Sequence, residues 1–265
     1  MYIVFDVGNT NIVTSILDKD GMVQETFRNR TNDRMTEDEF MGFFKSMMDI
    51  HNIEVKDIQG IMISSVVPVI TTMLQRFGKK YFNLDVFVVN IKKKVPFKFK
   101  RGVDGSNMGA DRIINIVQAL KEYPDKNLII FDFGTATTYE VLKKEVYVGG
   151  GIFPGPRTYI NSLFGTTARL PKVEFDEKNT VLGKNTVDGI QAATFNGYIG
   201  QVKYLIEKIK EEVGEDCFVI ATGGYSKVIG EHVKEIDKCS SKLSIRGIYT
   251  LYKMNNCKTE RKLKD

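Results

Sequence analysis

The sequence predicts an α/β protein of two similar lobes, each built on a mixed sheet, with a cleft between them. The first observation behind this is a repeat. Asp6-Val7-Gly8-Asn9-Thr10 returns near mid-chain as Asp132-Phe133-Gly134-Thr135, and each copy closes a short run of β-branched and aromatic residues, 2–5 and 128–131. Second, both copies are followed by alternating extended and helical patterns. Third, 265 residues with 42% apolar and 27% charged suit one large or two small globular domains. The lobes are expected to span residues 1–123 and 124–265. A single doubly wound sheet is the alternative, and it leaves the repeated loops as coincidence.

Along the first half the pattern reads strand, strand, strand, helix, strand, helix, strand. Thr36-Glu37-Asp38-Glu39 is a capping box, and Phe40, Phe43, Phe44 and Met47 follow on one helical face. Residues 59–67 form a buried-strand candidate stopped by Pro68, residues 73–81 a helix, 85–90 a strand and 109–123 a third helix. The second half repeats the plan. A strand at Leu128 leads into a hairpin over 139–148, then a long helix over 186–213, a strand over 217–221 and a helix after Gly224. Gly149-Gly150-Gly151 with Pro154-Gly155-Pro156 reads as a tight chain reversal. Phe195, Tyr198 and Ile199 have the helical spacing of core or subunit-contact residues.

Composition excludes several classes. No stretch approaches the roughly 20 apolar residues a bilayer span needs, and the chain enters a strand directly at its amino end, so a cytoplasmic protein is expected. Three cysteines, Cys217, Cys239 and Cys257, lack close pairing, and two histidines make no zinc-like cluster. The net charge of +5 is concentrated in part over 92–101, where six of ten residues are basic and Phe97 and Phe99 are interleaved. Such a segment can track nucleic acid, but a solvated loop or an anion-attracting rim is the preferred reading. Residues 258–265 read as a frayed, charged tail.

The repeated loops carry the chemistry. Glycine lets backbone approach a polyphosphate, adjacent N–H groups and hydroxyls bond its oxygens, and a carboxylate at the strand end holds Mg²⁺ or its waters. Neither G-x-x-x-x-G-K-[ST] nor a strand-linked G-x-G-x-x-G is present. Downstream, Ala221-Thr222-Gly223-Gly224 follows a strand. Paired Asp-x-Gly loops and this turn resemble the actin-like and sugar-kinase-like ATPases of the ribonuclease H-like fold, where the Gly-Gly turn lies against adenosine. Alone, Gly223-Gly224 reads equally well as a plain strand-to-helix turn.

Further motifs narrow the resemblance. Gly109-Ala110-Asp111-Arg112 opens a helix, Asp132-Phe133-Gly134-Thr135-Ala136-Thr137-Thr138 is rich in hydroxyls, Gly150-Gly151-Ile152-Phe153-Pro154-Gly155 precedes Ala168-Arg169-Leu170-Pro171, and Gly183-Lys184-Asn185-Thr186 follows. Together these look like the type III pantothenate kinases, in the right order over nearly the whole chain. The resemblance implies ATP-dependent phosphorylation of pantothenate to 4′-phosphopantothenate, the entry to coenzyme A. It implies that Asp6 orients Mg²⁺ through water, that Gly8, Asn9, Thr10 and Asn11 hold phosphate oxygens, and that Gly134, Thr135, Thr137 and Thr138 complete the second loop. Asp111 falls where the family has its proposed general base, although a first-turn helix acid is an equally ordinary role on the residues alone. Gly109, Ala110 and Arg112 border the acceptor, Arg112 pairing with its carboxylate or forming a structural ion pair. Asp132 is associated with K⁺ or NH₄⁺, Gly223 and Gly224 with ATP. Thr186 reaches the pocket from a neighbouring subunit, which implies a homodimer.

The chain departs from the family pattern over 100–108, where Lys100-Arg101-Gly102-Val103-Asp104-Gly105-Ser106-Asn107-Met108 stands in place of an aromatic, Asn-Pro and an acid-valine pair. In the long helix, Ala192-Ala193 replaces a common Ser-Gly. The rivals are a kinase for another small hydroxy acid or sugar, and a non-catalytic nucleotide-binding regulator that uses residues 92–101 for a partner. The presence of Asp6, Asp111 and Asp132 together argues against the regulator.

Overall fold

The computed structural model describes residues 1–166 and 170–256. Two of the quoted motif residues, Ala168 and Arg169, and the expected tail at 258–265 lie outside the described residues. Packing divides the chain into two compact units, residues 1–96, 104–118 and 243–256 in the first, 97–103 and the described part of 119–242 in the second.

The first unit begins with β1 (Tyr2–Val7), β2 (Asn11–Leu17) and β3 (Val23–Arg30), joined later by β4 (Gly60–Ser65) and β5 (Val86–Val88). The order in the sheet is β3-β2-β1-β4-β5, with β1 antiparallel to β2 and parallel to β4. Helices α1 (Glu37–Ile50), α2 (Pro68–Phe82) and α3 (Ala110–Glu122) accompany it. The capping box forms as expected, the Thr36 hydroxyl accepting from Glu39 N–H at 3.2 Å and the Glu39 carboxylate from Thr36 N–H at 2.8 Å. Such a cap contributes about 1 kcal/mol. Pro68 does more than stop a strand. It opens α2 at the first helical position, where its missing N–H costs nothing. Phe40 and Phe44 of α1 meet Phe77 of α2 and Phe5 of β1 at centroid distances of 5.1 to 6.3 Å, and all four are fully buried. Each contributes about 2 kcal/mol of burial.

The second unit holds β6 (Lys98–Phe99), β7 (Leu128–Phe133), β8 (Ala136–Lys143), β9 (Val146–Pro154), α4 (Pro156–Thr166), α5 (Thr186–Val213), β10 (Phe218–Thr222), α6 (Ser226–His232) and β11 (Lys238–Cys239). Its sheet runs β11-β10-β7-β8-β9-β6. Without β6 this is the first sheet's order again, and β7, like β1, is antiparallel to the strand that follows it in sequence and parallel to its neighbour on the other side, β10. The duplication is therefore one of topology. Helix α5 spans the residues its periodicity predicts, capped by the Asn185 side chain on Asp188 N–H at 3.0 Å and ended by Gly214 at φ 70°. Phe195, Tyr198 and Ile199 join its core.

The last helix, α7 (Leu243–Asn256), packs with the first unit although it follows the second in sequence. Its Tyr249 ring lies 5.3 Å from Tyr2 and its phenol donates to Lys19 O, while Gly247 sits so close to Ile114 that a Cβ would come within 2.1 Å of that residue's carbonyl. A cut at 123/124 thus describes the order of the motifs and not the packing. The Gly149-Gly150-Gly151 run is also different from expectation: it lies inside β9, opposite Val141, Glu140 and Tyr139. Side chains at Gly150 and Gly151 would collide with the Tyr139 backbone and ring at 2.3 and 2.4 Å, so these glycines serve strand packing.

Candidate active site

The first Asp-x-Gly segment is the connection from β1 to β2. Asp6 sits near the end of β1, opposite Val13 on one side and Ser64 of β4 on the other. Beyond it the chain turns tightly, Gly8 N–H donating to Asn11 O at 2.9 Å. Thr31, just past β3, fastens the loop by donating its N–H to Thr10 O at 3.0 Å and its hydroxyl to Gly8 O at 2.7 Å. Asn9 and Thr10 are left exposed at the tip. The loop is therefore rigid at its base, with polar groups outward.

The second segment is built on the same plan. Asp132 lies opposite Thr138 of β8 and Thr222 of β10. Gly134 N–H donates to Ala136 O at 3.2 Å, and Thr135 O receives both Gly155 N–H at 3.0 Å and the Thr158 hydroxyl at 2.7 Å. Gly223 closes on this loop from the end of β10. At φ 89° it holds a conformation suited to glycine, and a Cβ there would stand 2.5 Å from the Asp132 carboxylate and 2.6 Å from Phe133 N. The Gly223-Gly224 turn thus lies beside Asp132 within one unit, and Gly224 is exposed next to it. Thr137 departs from expectation. Residues across an antiparallel pair share a face, so Thr138 sides with Asp132, whereas Thr137 sides with Phe133 and is fully buried. Its hydroxyl bonds Tyr198. Thr135 and Thr138 remain as the loop's candidate phosphate hydroxyls.

Asp111 occupies the first turn of α3, where the helix dipole favours negative charge. Its carboxylate accepts from Arg112 N–H at 2.9 Å and folds back over Gly109, whose Cβ, if present, would lie 2.4 Å from it. Glycine at 109 is a requirement of that side-chain placement. The divergent stretch before it replaces proline rigidity with side-chain turns, Ser106 N–H donating to the Asp104 carboxylate at 2.8 Å and Met108 N–H to Gly105 O at 3.1 Å. The bond from Ser106 holds the Asp104 carboxyl below its ordinary range. Thr186 is exposed as the first residue of α5, and Val181, Leu182 and Val187 around it are exposed at 67%, 79% and 39%.

The basic segment offers no aromatic platform. Phe97 is buried and packs on Phe99, which in turn packs on Tyr147, and the strand bonds from Lys98 and Lys100 tie this stretch to β9. Sequence reasoning missed Ser64 and Thr222, the buried hydroxyl residues on the parallel neighbours of Asp6 and Asp132, and Gly155 and Thr158, which fasten the second loop. A hydroxyl closing an apolar strand run was the available signal. Among the described residues no group of three or more histidine, cysteine or acidic side chains is poised for a metal. One carboxylate per loop fits a magnesium ion carried mainly by phosphate and water. A cavity of about 310 Å³ in the second unit, which includes Lys100, Lys143 and Glu212, is lined by none of the residues assigned above.

A family model of type III pantothenate kinases matches residues 2–208. The chain belongs to that family. A type III pantothenate kinase of Fusobacterium nucleatum is 51% identical over 255 residues, covering 96% of this chain and all of the relative. One from an Exiguobacterium species is 39% identical over 256 residues, covering 96% and 99%. Among solved structures, a ROK family glucokinase of Streptomyces griseus with glucose and AMPPNP aligns at TM-score 0.51 and 12% identity, over 97% of this chain and 99% of that one. An activator of 2-hydroxyisocaproyl-CoA dehydratase from Clostridium difficile with ADPNP aligns at 0.55 and 10%, over 98% and 97%. These likenesses establish the two-lobed, actin-like ATPase fold of this type III pantothenate kinase family member. None of its described helices is long and apolar enough to cross a membrane.

Proposed function

We propose that the chain transfers the γ-phosphoryl group of ATP to the primary alcohol of pantothenate, giving 4′-phosphopantothenate and ADP, the first step of coenzyme A biosynthesis. The observation that carries this reading is the matched pair of strand-end acids, Asp6 and Asp132, each with a glycine loop, in a chain of this family. In this reading the tips at Gly8, Asn9, Thr10 and Asn11 and at Gly134, Thr135 and Thr138 bond phosphate oxygens, and Gly223-Gly224 lies against adenosine. Mg²⁺, held by Asp6 through water, neutralises charge on the phosphates. Asp132 would hold a monovalent cation, K⁺ or NH₄⁺, with Gly134 and Gly223 as its neighbours in space.

Phosphoryl transfer asks mainly for alignment and charge neutralisation. Asp111 takes the proton as the alcohol oxygen bonds to the γ-phosphorus and the bond to the ADP oxygen breaks. Its attachment to the rigid start of α3 fixes the carboxylate's direction. Arg112 meets the acceptor's carboxylate with its two-pronged guanidinium. Thr186 serves a partner subunit's pocket, and the exposed Val181, Leu182 and Val187 supply the apolar part of that contact. Sedimentation is expected to give twice the 30.1 kDa chain mass. A monomer at assay concentration would remove the shared-pocket role of Thr186. We place the reaction in the cytoplasm, where ATP is available.

The altered 100–108 loop keeps a different hydroxy-acid acceptor as the second reading. The direct test measures ADP release from MgATP with and without pantothenate, in K⁺ and in Na⁺ buffer. Release that depends on pantothenate and is stimulated by K⁺ is expected. Release driven only by another hydroxy acid would reassign the acceptor, and equal rates in K⁺ and Na⁺ would remove the cation from Asp132.

A further inference from the structure

At the base of the second phosphate loop lies a buried hydroxyl pair, Thr137 of β8 and Tyr198 of α5, both with 0% exposure. Tyr198 is ringed by Phe133, Phe153, Tyr159 and Phe175 at centroid distances of 5.6 to 6.5 Å. A phenylalanine would fill that space without burying an O–H, whose desolvation a hydrogen bond does little more than offset. The tyrosine hydroxyl therefore calls for a role other than filling.

Its contacts supply one. The phenol oxygen also lies 3.4 Å from Pro154 O, the last residue of β9. Burial pushes the phenol well above its ordinary range, so it keeps its proton. With Thr137 donating to Tyr198 and Tyr198 donating to Pro154 O, both hydroxyls are satisfied. Thr137 follows the loop tip, while Pro154 precedes Gly155 and Thr158, which fasten Thr135 O. Gly155 is pressed so closely on the loop that a Cβ would stand 2.0 Å from Gly134 O. One phenol thus touches both strands from which the tip and its fastening leave.

We propose that Tyr198 is a positioning residue for the second phosphate loop, pinning the paired ends of β8 and β9 and through them the placement of Gly134, Thr135 and Thr138. This rests on the reading of that loop as a phosphate binder. Displacing such a loop by about 1 Å costs up to a hundredfold in rate, and loss of one buried hydroxyl should cost about tenfold.

The test compares full-length Tyr198→Phe and Thr137→Val, which remove the same bond from opposite sides, with Tyr159→Phe, which removes a hydroxyl from the same aromatic cluster and leaves the pair intact. Hydrogen exchange at residues 134–136, without nucleotide, is expected to accelerate in the first two proteins and not in the third. Their kcat/KM for ATP should fall about tenfold with KM for pantothenate unchanged, and the double variant should be no worse than either single one. Exchange no faster than in Tyr159→Phe would overturn the proposal. So would accelerated exchange with unaltered ATP kinetics, which would leave the bond purely structural. A wild-type protein that bound no ADP would instead sink the phosphate-loop reading, a result kept apart because the exchange is recorded without nucleotide.

Discussion

Asp111→Asn is expected to lower turnover by about a hundredfold to ten-thousandfold, while ADP affinity stays within about twofold of wild type. The expectation follows from how the side chain is held. Asn keeps the oxygen that accepts Arg112 N–H and keeps the size that lets the group fold over Gly109, so α3 begins as before. What is lost is the capacity to take a proton. A thousandfold loss corresponds to about 4 kcal/mol of barrier, more than a disturbed first turn can explain. Stopped-assay turnover and ADP titration on the same preparation separate the two. Turnover within about threefold of wild type would remove Asp111 from the base role and leave it a helix-start acid.

Gly223→Ala is expected to destabilise the protein by about 2–4 kcal/mol and to weaken ADP binding at least about tenfold. Two costs coincide at this position. The backbone has φ 89°, which an alanine adopts only with strain, and the added methyl would sit 2.5 Å from the Asp132 carboxylate and 2.6 Å from Phe133 N. Neither neighbour can move without moving the loop that carries Gly134. Gly224 gives the comparison, because a methyl there meets nothing within 4 Å, and Gly224→Ala should unfold within about 0.5 kcal/mol of wild type. Denaturant midpoints measure both variants. Equal stability for the two would mean that the turn does not press on Asp132.

Local chemistry explains which parts of this structure were legible in the sequence. The capping box at Thr36, the Phe40 and Phe44 stripe and the span of α5 over 186–213 depend on neighbours within a few residues, and each formed where its pattern lies. The repeated Asp-x-Gly loops were legible because strand, turn and acid are contiguous. Contacts distant in the chain were not. Nothing local tells α7 to pack on Tyr2 and Ile114, and nothing in Lys98-Phe99 alone announces a strand beside β9. Thr137 is an intermediate case. A string of hydroxyls looks uniform, but strand alternation sends Thr137 to the face of Phe133 and Thr138 to that of Asp132, a distinction available once Asp132 and Thr138 are recognised as partners. The glycines at 149–151 were misread because a glycine run signals a turn more often than close packing against a tyrosine ring.

The central claim is the identity of the transferred group and its acceptor, and phosphorus NMR of the reaction mixture tests it most directly. With MgATP, K⁺ and pantothenate, the wild-type protein is expected to produce a new phosphomonoester resonance, coupled to a CH₂ group, at the same rate as ADP appears, and Asp111→Asn is expected to produce almost none. ADP accompanied only by inorganic phosphate, or a phosphomonoester formed equally fast by Asp111→Asn, would contradict the account.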